Sequence, residues 1–392
     1  MFGVESDTGR LNSLKKAQSY IPDVKRETLA YMLDSGRYTP AASLDRLPPA
    51  QVYVIAVPTP SARNGEPDLR HVDVATDAVA RVAGESALVI VESTMYPGSL
   101  RNHVAPRLEA GSGLRVGGRL HLVHSPERID PGRTDIPLEA VPKLVGGIDL
   151  ASTVAGAKFY ESVFEHVVPV SSSDVAEFAK LLENTYRYVN IAYVNELGQA
   201  AHAMGIDFRE VIDAAASKPY GFMPFHHGPG VGGHCLPNNV TYLRHALRKA
   251  GFVSTVLDAA ENVNTAMPGY VVRRLESSLR RRGSSLRGAS VLLLGLAYKA
   301  GVPDWRNSPS HAVGRALIDH GAKVFAADPL IRKDAFPADL DRVELSGDEC
   351  ARHDAVLLLT DHPGVNYEQV IGAAPFVLDC RGHLGAPTVE RL

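Results

Sequence analysis

Short apolar runs alternate with helix-patterned stretches through the opening part of the chain, and this alternation constrains the fold more than any other feature. The runs are VYVIAVPTP from Val52, ALVIVEST from Ala87, LHLVHSPE from Leu120 and HVVPVSS from His166. They are nearly continuous in apolar character, as strands are when helices cover both faces of a sheet. The pattern predicts an α/β layer structure built on a parallel sheet. Three runs end in polar residues at the expected strand C-termini: Pro58–Thr59–Pro60, Glu92–Ser93–Thr94 and Ser125–Pro126–Glu127. Ligands of open α/β sheets bind along that edge.

From Ser173 the pattern changes. SDVAEFAKLLENTYRYVNIAYVNELGQAAHAMG reads as one long helix, with Asp174 and Glu177 spaced as a capping box and Gly205 as its stop. Its apolar residues occur nearly all round, which predicts burial, for example in a subunit interface. A third segment begins near Leu286. There ASVLLLGLAYKAG, a helix from about Pro309, and AKVFAADP form a βαβ unit, and DAVLLLTDH and FVLDCRG add two more strands. The expected division is residues 1–168 and 285–392 as two doubly wound, Rossmann-like domains, joined by a helical segment at 169–284.

Composition excludes several classes. The net charge is −3, with 41 basic and 44 acidic residues, which leaves no electrostatic footprint for nucleic acid. The one dense basic stretch is Arg273, Arg274, Arg280, Arg281 and Arg282 before Gly283, and it suits a helix C-terminus. Runs such as SALVIV and VLLLGLA are too short to span a bilayer. The start carries Glu5 and Asp7 and lacks an apolar signal region. Three cysteines make no disulfide framework. A cytoplasmic protein with no membrane, nucleic-acid or metal site is expected.

The opening FGVESD reads as a scrap of strand followed by an acidic residue and a helix start. In a dinucleotide-binding βαβ unit an acidic residue at the tip of the second strand holds the cofactor ribose, and the glycine loop lies about 20 residues earlier.

The stretch GFMPFHHGPGVGGHCLPNN is the most unusual in the chain. Five glycines and three prolines between Gly221 and Pro237 place Cys235 on irregular backbone, where glycines let a ligand approach a thiol. Inert packing and nucleophilic chemistry are both open to a lone cysteine. Lys180 and Asn184, four apart, share a helix face; they are either a solvated pair or donors converging on an oxyanion. Glu127 at a strand tip is either a solvated carboxylate or a general base. His234 adjoins Cys235, but adjacent side chains usually point apart, which argues against a dyad.

Taken together, GPGVGGHCLP, AEFAKLLENTYRYVNIAYVNE, SPERIDPG, AVPTP followed by PD, VEST followed by PG, LGLAYKAGVPDWRNSP and TDH resemble the nucleotide-sugar 6-dehydrogenases. These act on UDP-glucose, UDP-N-acetylglucosamine and UDP-N-acetylmannosamine. The resemblance runs in order from residue 1 to about 385. It implies oxidation of a UDP-sugar C6 alcohol to a carboxylate in two NAD-dependent steps. It makes Cys235 the nucleophile that forms a thiohemiacetal and then a thioester. Lys180 and Asn184 match the oxyanion-stabilising pair, Glu127 the carboxylate linked to thioester hydrolysis, and Thr94 a threonine that helps place water. Glu5, Arg10, Thr59, Thr94 and Arg306 match cofactor-side positions. Glu127, Arg128, Lys180, Asn184, Phe225, Gly233, Lys299 and Arg381 match substrate-side positions. The third segment would bind the uridine diphosphate, and the long helix would form the core of a homodimer or larger homo-oligomer. KPYGFMPF most resembles the branch acting on UDP-N-acetyl sugars.

The chain departs from this pattern in two main ways. The family opens with a strand and a G-x-G-x-x-G loop, whereas FGVESD aligns with the second strand. A misplaced gene start and a shortened, non-catalytic UDP-sugar-binding paralogue both account for that, and survival of the other motifs favours the start. An in-frame G-x-G-x-x-G encoded upstream would support it. The family also carries Asp four residues after the cysteine, where this chain has Asn239. An amide cannot accept a proton as a carboxylate does, so Asn239→Asp is expected to raise turnover in a complete enzyme. Trp305 and Asn307 are smaller departures, in DWRNSP where DxRESP is common.

Overall fold

The computed structural model describes residues 1–21, 24–62, 64–130, 135–385 and 389–392. They fall into two compact units, Met1–Leu182 and Glu183–Leu392.

In the first unit, β1 (Phe2–Val4) leads into α1 (Thr8–Lys15), whose start is capped by the Asp7 carboxylate accepting from the Arg10 amide. Next come α2 (Arg26–Asp34) and β2 (Thr39–Ala41), which pairs in parallel with β1 as a two-stranded sheet. The chain continues through β3 (Val52–Ile55), α3 (Arg70–Val82), β4 (Leu88–Val91), α4 (Ala105–Ser112), β5 (His121–His124), β6 (Lys143–Gly147), α5 (Leu150–Tyr160) and β7 (Val167–Pro169). Strands β3 to β7 form a five-stranded sheet in sequence order, parallel except where β6 meets β5. β6 breaks the predicted pattern. KLVGG carries a lysine and two glycines, so its apolar run is too short to stand out, and the strand is recognisable only from its pairing. Leu88, Ile90, Val123, Val145, Ala157 and Tyr160 form the core between this sheet and α5.

The long helix is α6 (Ser173–Ala203), with Gly205 in the left-handed region at φ 71° just beyond it. The capping box does not form. Glu177 instead accepts from the Gly98 amide at 2.7 Å, the Ser99 hydroxyl at 3.0 Å and the Leu100 amide at 2.8 Å. It thus caps the helical turn that leads into α4, where several backbone donors are otherwise unmet. Val175, Phe178, Leu182, Tyr186, Tyr193 and Leu197 form an exposed apolar stripe on α6 in the single chain.

The second unit continues with α7 (Phe208–Ala216), α8 (Cys235–Lys249) and α9 (Thr255–Arg281). Its sheet unit comprises β8 (Ser290–Leu294), α10 (Pro309–Asp319), β9 (Lys323–Ala327), β10 (Asp341–Arg342), α11 (Gly347–Ala351), β11 (Ala355–Leu358), α12 (Tyr367–Ile371), β12 (Val377–Asp379) and β13 (Val389–Arg391). The six strands are parallel in the order β10-β9-β8-β11-β12-β13. Strand order therefore reverses between β8 and β11, and in doubly wound sheets the crevice at that point is where ligands bind. Val291, Leu293, Val356 and Leu358 are fully buried, as expected for central strands covered on both faces.

Candidate active site

The carboxyl edge of the first sheet gathers the strand-tip residues. Ser93, one residue before Thr94, donates to the Val57 carbonyl and accepts from the Val57 amide, both at 2.8 Å. This ties the loop bearing Thr59 to the loop bearing Thr94. Glu127 follows β5, and its Oε1 accepts from the amides of Arg128 and Ile129, both at 2.6 Å. Arg128 in turn donates to the Pro142 carbonyl at 2.6 Å. SPERIDPG runs on to residues 131–132, which lie outside the described residues.

Beneath Glu127 is a group of residues to which the sequence reading gave no role. Lys143, 3% exposed, sits 2.8 Å from Glu92 Oε1 and 3.7 Å from Glu127 Oε2. Tyr160 donates its hydroxyl to the same Glu92 oxygen at 2.5 Å. Burial, with Glu92 as neighbour, pushes the Tyr160 phenol far up and keeps it a donor. His124 is fully buried, and burial together with Lys143 and Lys180 depresses its imidazole to about 3. The one signal available in the sequence was a lysine opening an apolar run in VPKLVGG.

Glu5 lies just past the tip of β1, with its carboxylate accepting from the Asp7 amide at 2.9 Å and the Tyr20 hydroxyl at 3.4 Å. Arg10 stacks over the Tyr20 ring at 5.5 Å. A carboxylate at a strand tip ahead of a helix suits a ribose hydroxyl, so the ribose end of a dinucleotide fits here. Among the described residues, no glycine-rich turn joins a strand to a helix as a pyrophosphate cradle.

In the second unit the glycine loop leads directly into α8, and Cys235 is its first residue. This corrects the expectation of irregular backbone at the thiol. Pro237 is compatible with that start because the first turn needs no amide from it. The N-terminal end of a helix favours negative charge, and the Cys235 side chain is exposed there while Cys350 and Cys380 are buried. Asn239, one turn on and 2% exposed, donates Nδ2 to the Cys235 carbonyl at 2.6 Å, and its Oδ1 is buried with no partner.

The loop before Cys235 is held at several points. The Gly228 amide donates to Asn195 Oδ1 at 2.9 Å, and Asn195 Nδ2 donates to Asn264 Oδ1 at 2.9 Å. This buried amide chain fastens the loop to α6 and α9. The Gly233 amide donates to the Asn307 carbonyl at 3.2 Å. Gly233 has φ 80°, and a Cβ there would lie 2.9 Å from the Tyr298 ring. Asn307 is itself left-handed at φ 55°, a conformation asparagine tolerates better than most residues, and its Nδ2 lies 3.4 Å from His234 Nδ1. His234 therefore has a partner other than the thiol.

The carboxyl edge of the second sheet supplies the rest. Asp328 accepts from the Leu296 and Ala297 amides at 2.8 and 3.1 Å, and its Oδ2 lies 3.1 Å from His362 Nε2. His362 Nδ1 accepts from the Gly301 amide at 3.1 Å. These bonds brace both ends of the loop carrying Lys299. Arg381 donates Nε to the Leu359 carbonyl at 2.6 Å, and a Cβ on Gly228 would lie 2.9 Å from its Nη1. The structure thus brings Gly233, Cys235 and Asn239 onto one helix start and its approach, and sets Arg381 against the same glycine loop. Phe225 packs edge-on to Tyr186 at 6.0 Å. Arg306 is exposed and paired with Asp304 at 2.7 Å, which holds that carboxyl below its usual range. On α6, Lys180 and Asn184 follow at one-turn spacing, and Asn184 Nδ2 is buried without a partner.

One sheet parallel except at β5–β6 and one wholly parallel sheet, each with helices between its strands, define an α/β protein. Family comparisons are specific. Residues 1–166 match the NAD binding domain of the UDP-glucose/GDP-mannose dehydrogenase family, residues 174–266 its central domain and residues 292–386 its UDP binding domain. The chain is 31% identical over 365 residues to the UDP-N-acetyl-D-glucosamine 6-dehydrogenase of Pseudomonas aeruginosa, covering 92% of this chain and 84% of that protein. It is 33% identical over 353 residues to the UDP-N-acetyl-D-mannosamine dehydrogenase of Pyrococcus horikoshii, covering 89% and 81%. The solved UDP-D-ManNAc dehydrogenase of Pyrococcus horikoshii superposes with a TM-score of 0.89 at 29% identity, covering all of this chain and 92% of that one. A UDP-glucose dehydrogenase from Pyrobaculum islandicum gives 0.88 at 27% identity, covering all of this chain and 90% of that one. The chain belongs to the UDP-glucose/GDP-mannose dehydrogenase family, whose cofactor is NAD.

Proposed function

We propose that this protein oxidises the C6 alcohol of a UDP-sugar to the uronic acid through a covalent intermediate on Cys235. The observation that carries the proposal is the exposed thiol at the first residue of α8, reached by a glycine loop braced from three elements. NAD, when bound, supplies the hydride acceptor for both oxidations. Glu5 and Arg10 would hold its ribose, with Thr59, Thr94 and Arg306 on the cofactor side.

The chain's own groups would do the remaining work. Cys235 sulfur adds to the C6 aldehyde to give a thiohemiacetal, and the same carbon, once oxidised, is a thioester. Lys180 and the buried, unpartnered Nδ2 of Asn184 are suited to an oxyanion at that carbon. Glu127 and Thr94 would orient the water that releases the carboxylate and returns the thiol. Lys299, Arg381, Phe225, Gly233 and Arg128 would hold the UDP-sugar. The names of the relatives support an N-acetylated sugar. We assign residues 1–168 to the cofactor, 169–284 to dimerisation and catalysis, and 285–392 to the uridine diphosphate. The exposed apolar stripe on α6 supports a homodimer. No helix among the described residues is long and apolar enough to cross a membrane, and we propose that the protein works in the cytoplasm.

Asn239 favours a second reading, a UDP-sugar-binding paralogue that stalls or does not oxidise, because its amide is committed to the Cys235 carbonyl. The two readings separate in one assay. The purified chain is mixed with NAD and UDP-glucose, UDP-N-acetylglucosamine or UDP-N-acetylmannosamine, and NADH is followed against sugar consumed. Two NADH per sugar, abolished by Cys235→Ala, is the expected result. Calorimetric binding of the UDP-sugars with no NADH formed would overturn the dehydrogenase reading.

A further inference from the structure

The group under Glu127 has an unusual charge pattern. Lys143 presents one ammonium, with its side chain 4% exposed, to two carboxylates on separate strand tips. Glu92, after β4, takes the short contact at 2.8 Å and also accepts from the Tyr160 hydroxyl. Glu127, after β5, has its Oε1 occupied by two backbone amides and its Oε2 at 3.7 Å from the ammonium. The Lys143 ammonium also lies over the rings of Tyr160 and Phe164, with Nζ 5.0 and 5.4 Å from their centroids. A lysine taken this far from water is costly unless it is paired, and here its partners are these two carboxylates.

We propose that Lys143 is a positioning residue for Glu127: its buried ammonium, divided between Glu92 and Glu127, holds the Glu127 carboxylate in place. Three strand tips then act as one device. β6 supplies the cation, β4 the carboxylate and α5 the phenol that keep the cation anchored, and β5 supplies the working group. The other charged or titratable groups around it are Arg128, tied to the Pro142 carbonyl, fully buried His124, and Lys180 on α6. Neither Lys143 nor Glu92 touches the reacting atoms in this scheme. The catalytic consequence rests on the role proposed above for Glu127; the electrostatic coupling itself does not.

The test is therefore made in two arms on the full chain. In the first, the protein is labelled with carboxyl-13C glutamate, and the Glu127 resonance, identified by its loss in Glu127→Gln, is followed by NMR at pH 7. Lys143→Met is expected to shift that resonance, because an opposite charge within a few ångströms is removed. Lys143→Arg should restore it. Glu92→Gln, which keeps the shape and an acceptor for Tyr160 and leaves the ammonium to Glu127, should move the resonance the other way. A purely structural role for Lys143 predicts no such opposed pair. An unchanged resonance in both Lys143→Met and Glu92→Gln overturns the proposal; if Lys143→Met does not fold, Glu92→Gln alone decides. In the second arm, turnover is measured with NAD and a UDP-sugar. Lys143→Met should lower kcat with little change in KM for the sugar and accumulate a Cys235 adduct by intact mass. Absence of turnover in the wild-type chain would count against the dehydrogenase reading, while the resonance shifts would still decide the coupling.

Discussion

Replacing Asn239 by aspartate tests how much the residue beside the nucleophile is constrained by its surroundings. The side chain is 2% exposed, donates to the Cys235 carbonyl at 2.6 Å and has an orphaned Oδ1. Aspartate has nearly the same shape, but an ionised oxygen in the Nδ2 position would face the carbonyl oxygen instead of donating to it. That forfeits a hydrogen bond worth about 1 kcal/mol and leaves a buried charge without a donor. The carboxyl can avoid this by staying protonated and donating to the same carbonyl. Its folded-state pKa would therefore rise, by about 2 units for a group this buried. The sign follows directly. A carboxyl raised on folding costs nothing below the unfolded carboxylate range, and the cost grows as pH climbs toward the raised value. Two units correspond to about 2.7 kcal/mol, absent below about pH 3, small at about pH 4 and fully developed above about pH 7. Urea denaturation of wild type and Asn239→Asp from pH 4 to pH 8 measures it. A stability difference that does not vary with pH would refute the reasoning. The predicted gain in turnover needs the ionised form, so it should appear only on the alkaline side, where the variant is least stable.

Two further substitutions probe the frame around the site. Gly233→Ala places a methyl 2.9 Å from the Tyr298 ring at φ 80°; the backbone strain alone is about 1–2 kcal/mol, so thermal stability and turnover should both fall, and wild-type turnover would mean the loop is not held by this contact. Glu177 is fully buried, and burial pushes its carboxyl up to about 8 against three donors. Its contribution is therefore greatest at low pH and is lost as pH rises toward 8. Glu177→Gln sets an amide N–H against the Gly98 amide and should cost about 1–3 kcal/mol at pH 5; the gap to wild type should narrow toward pH 8 in denaturation experiments, and a widening gap would contradict the assignment.

Much of the frame is legible from the chain alone. Runs such as LVIV and VLLL are buried on both faces, so their continuity marks central parallel strands without ambiguity. α6 is legible for its length and its glycine stop. The glycine-rich approach to Cys235 is legible as unusual, and the strand tips carrying Thr59, Thr94 and Glu127 lie where the polar residues ending each run put them. β6 was not legible, because its pairing with β5 is antiparallel and its residues carry little strand signature. The capping box at Asp174 and Glu177 had the right spacing but the wrong partner: local spacing cannot tell a carboxylate that caps its own helix from one recruited by the backbone donors of another.

The sequence by itself determined the α/β class, the long central helix, the family and the nucleophile candidate, because these depend on periodicity and on motifs contiguous in the chain. Only the tertiary structure decided which side chains meet. Lys143, Glu92, Glu127 and Tyr160 come from four separate stretches, and their pairing exists because adjacent strands deliver their tips to one edge. The same holds for Asn195 and Asn264, 69 residues apart and joined by one buried hydrogen bond. Burial sets the strength and the protonation of such contacts, and burial is a property of the folded chain, not of any segment of it.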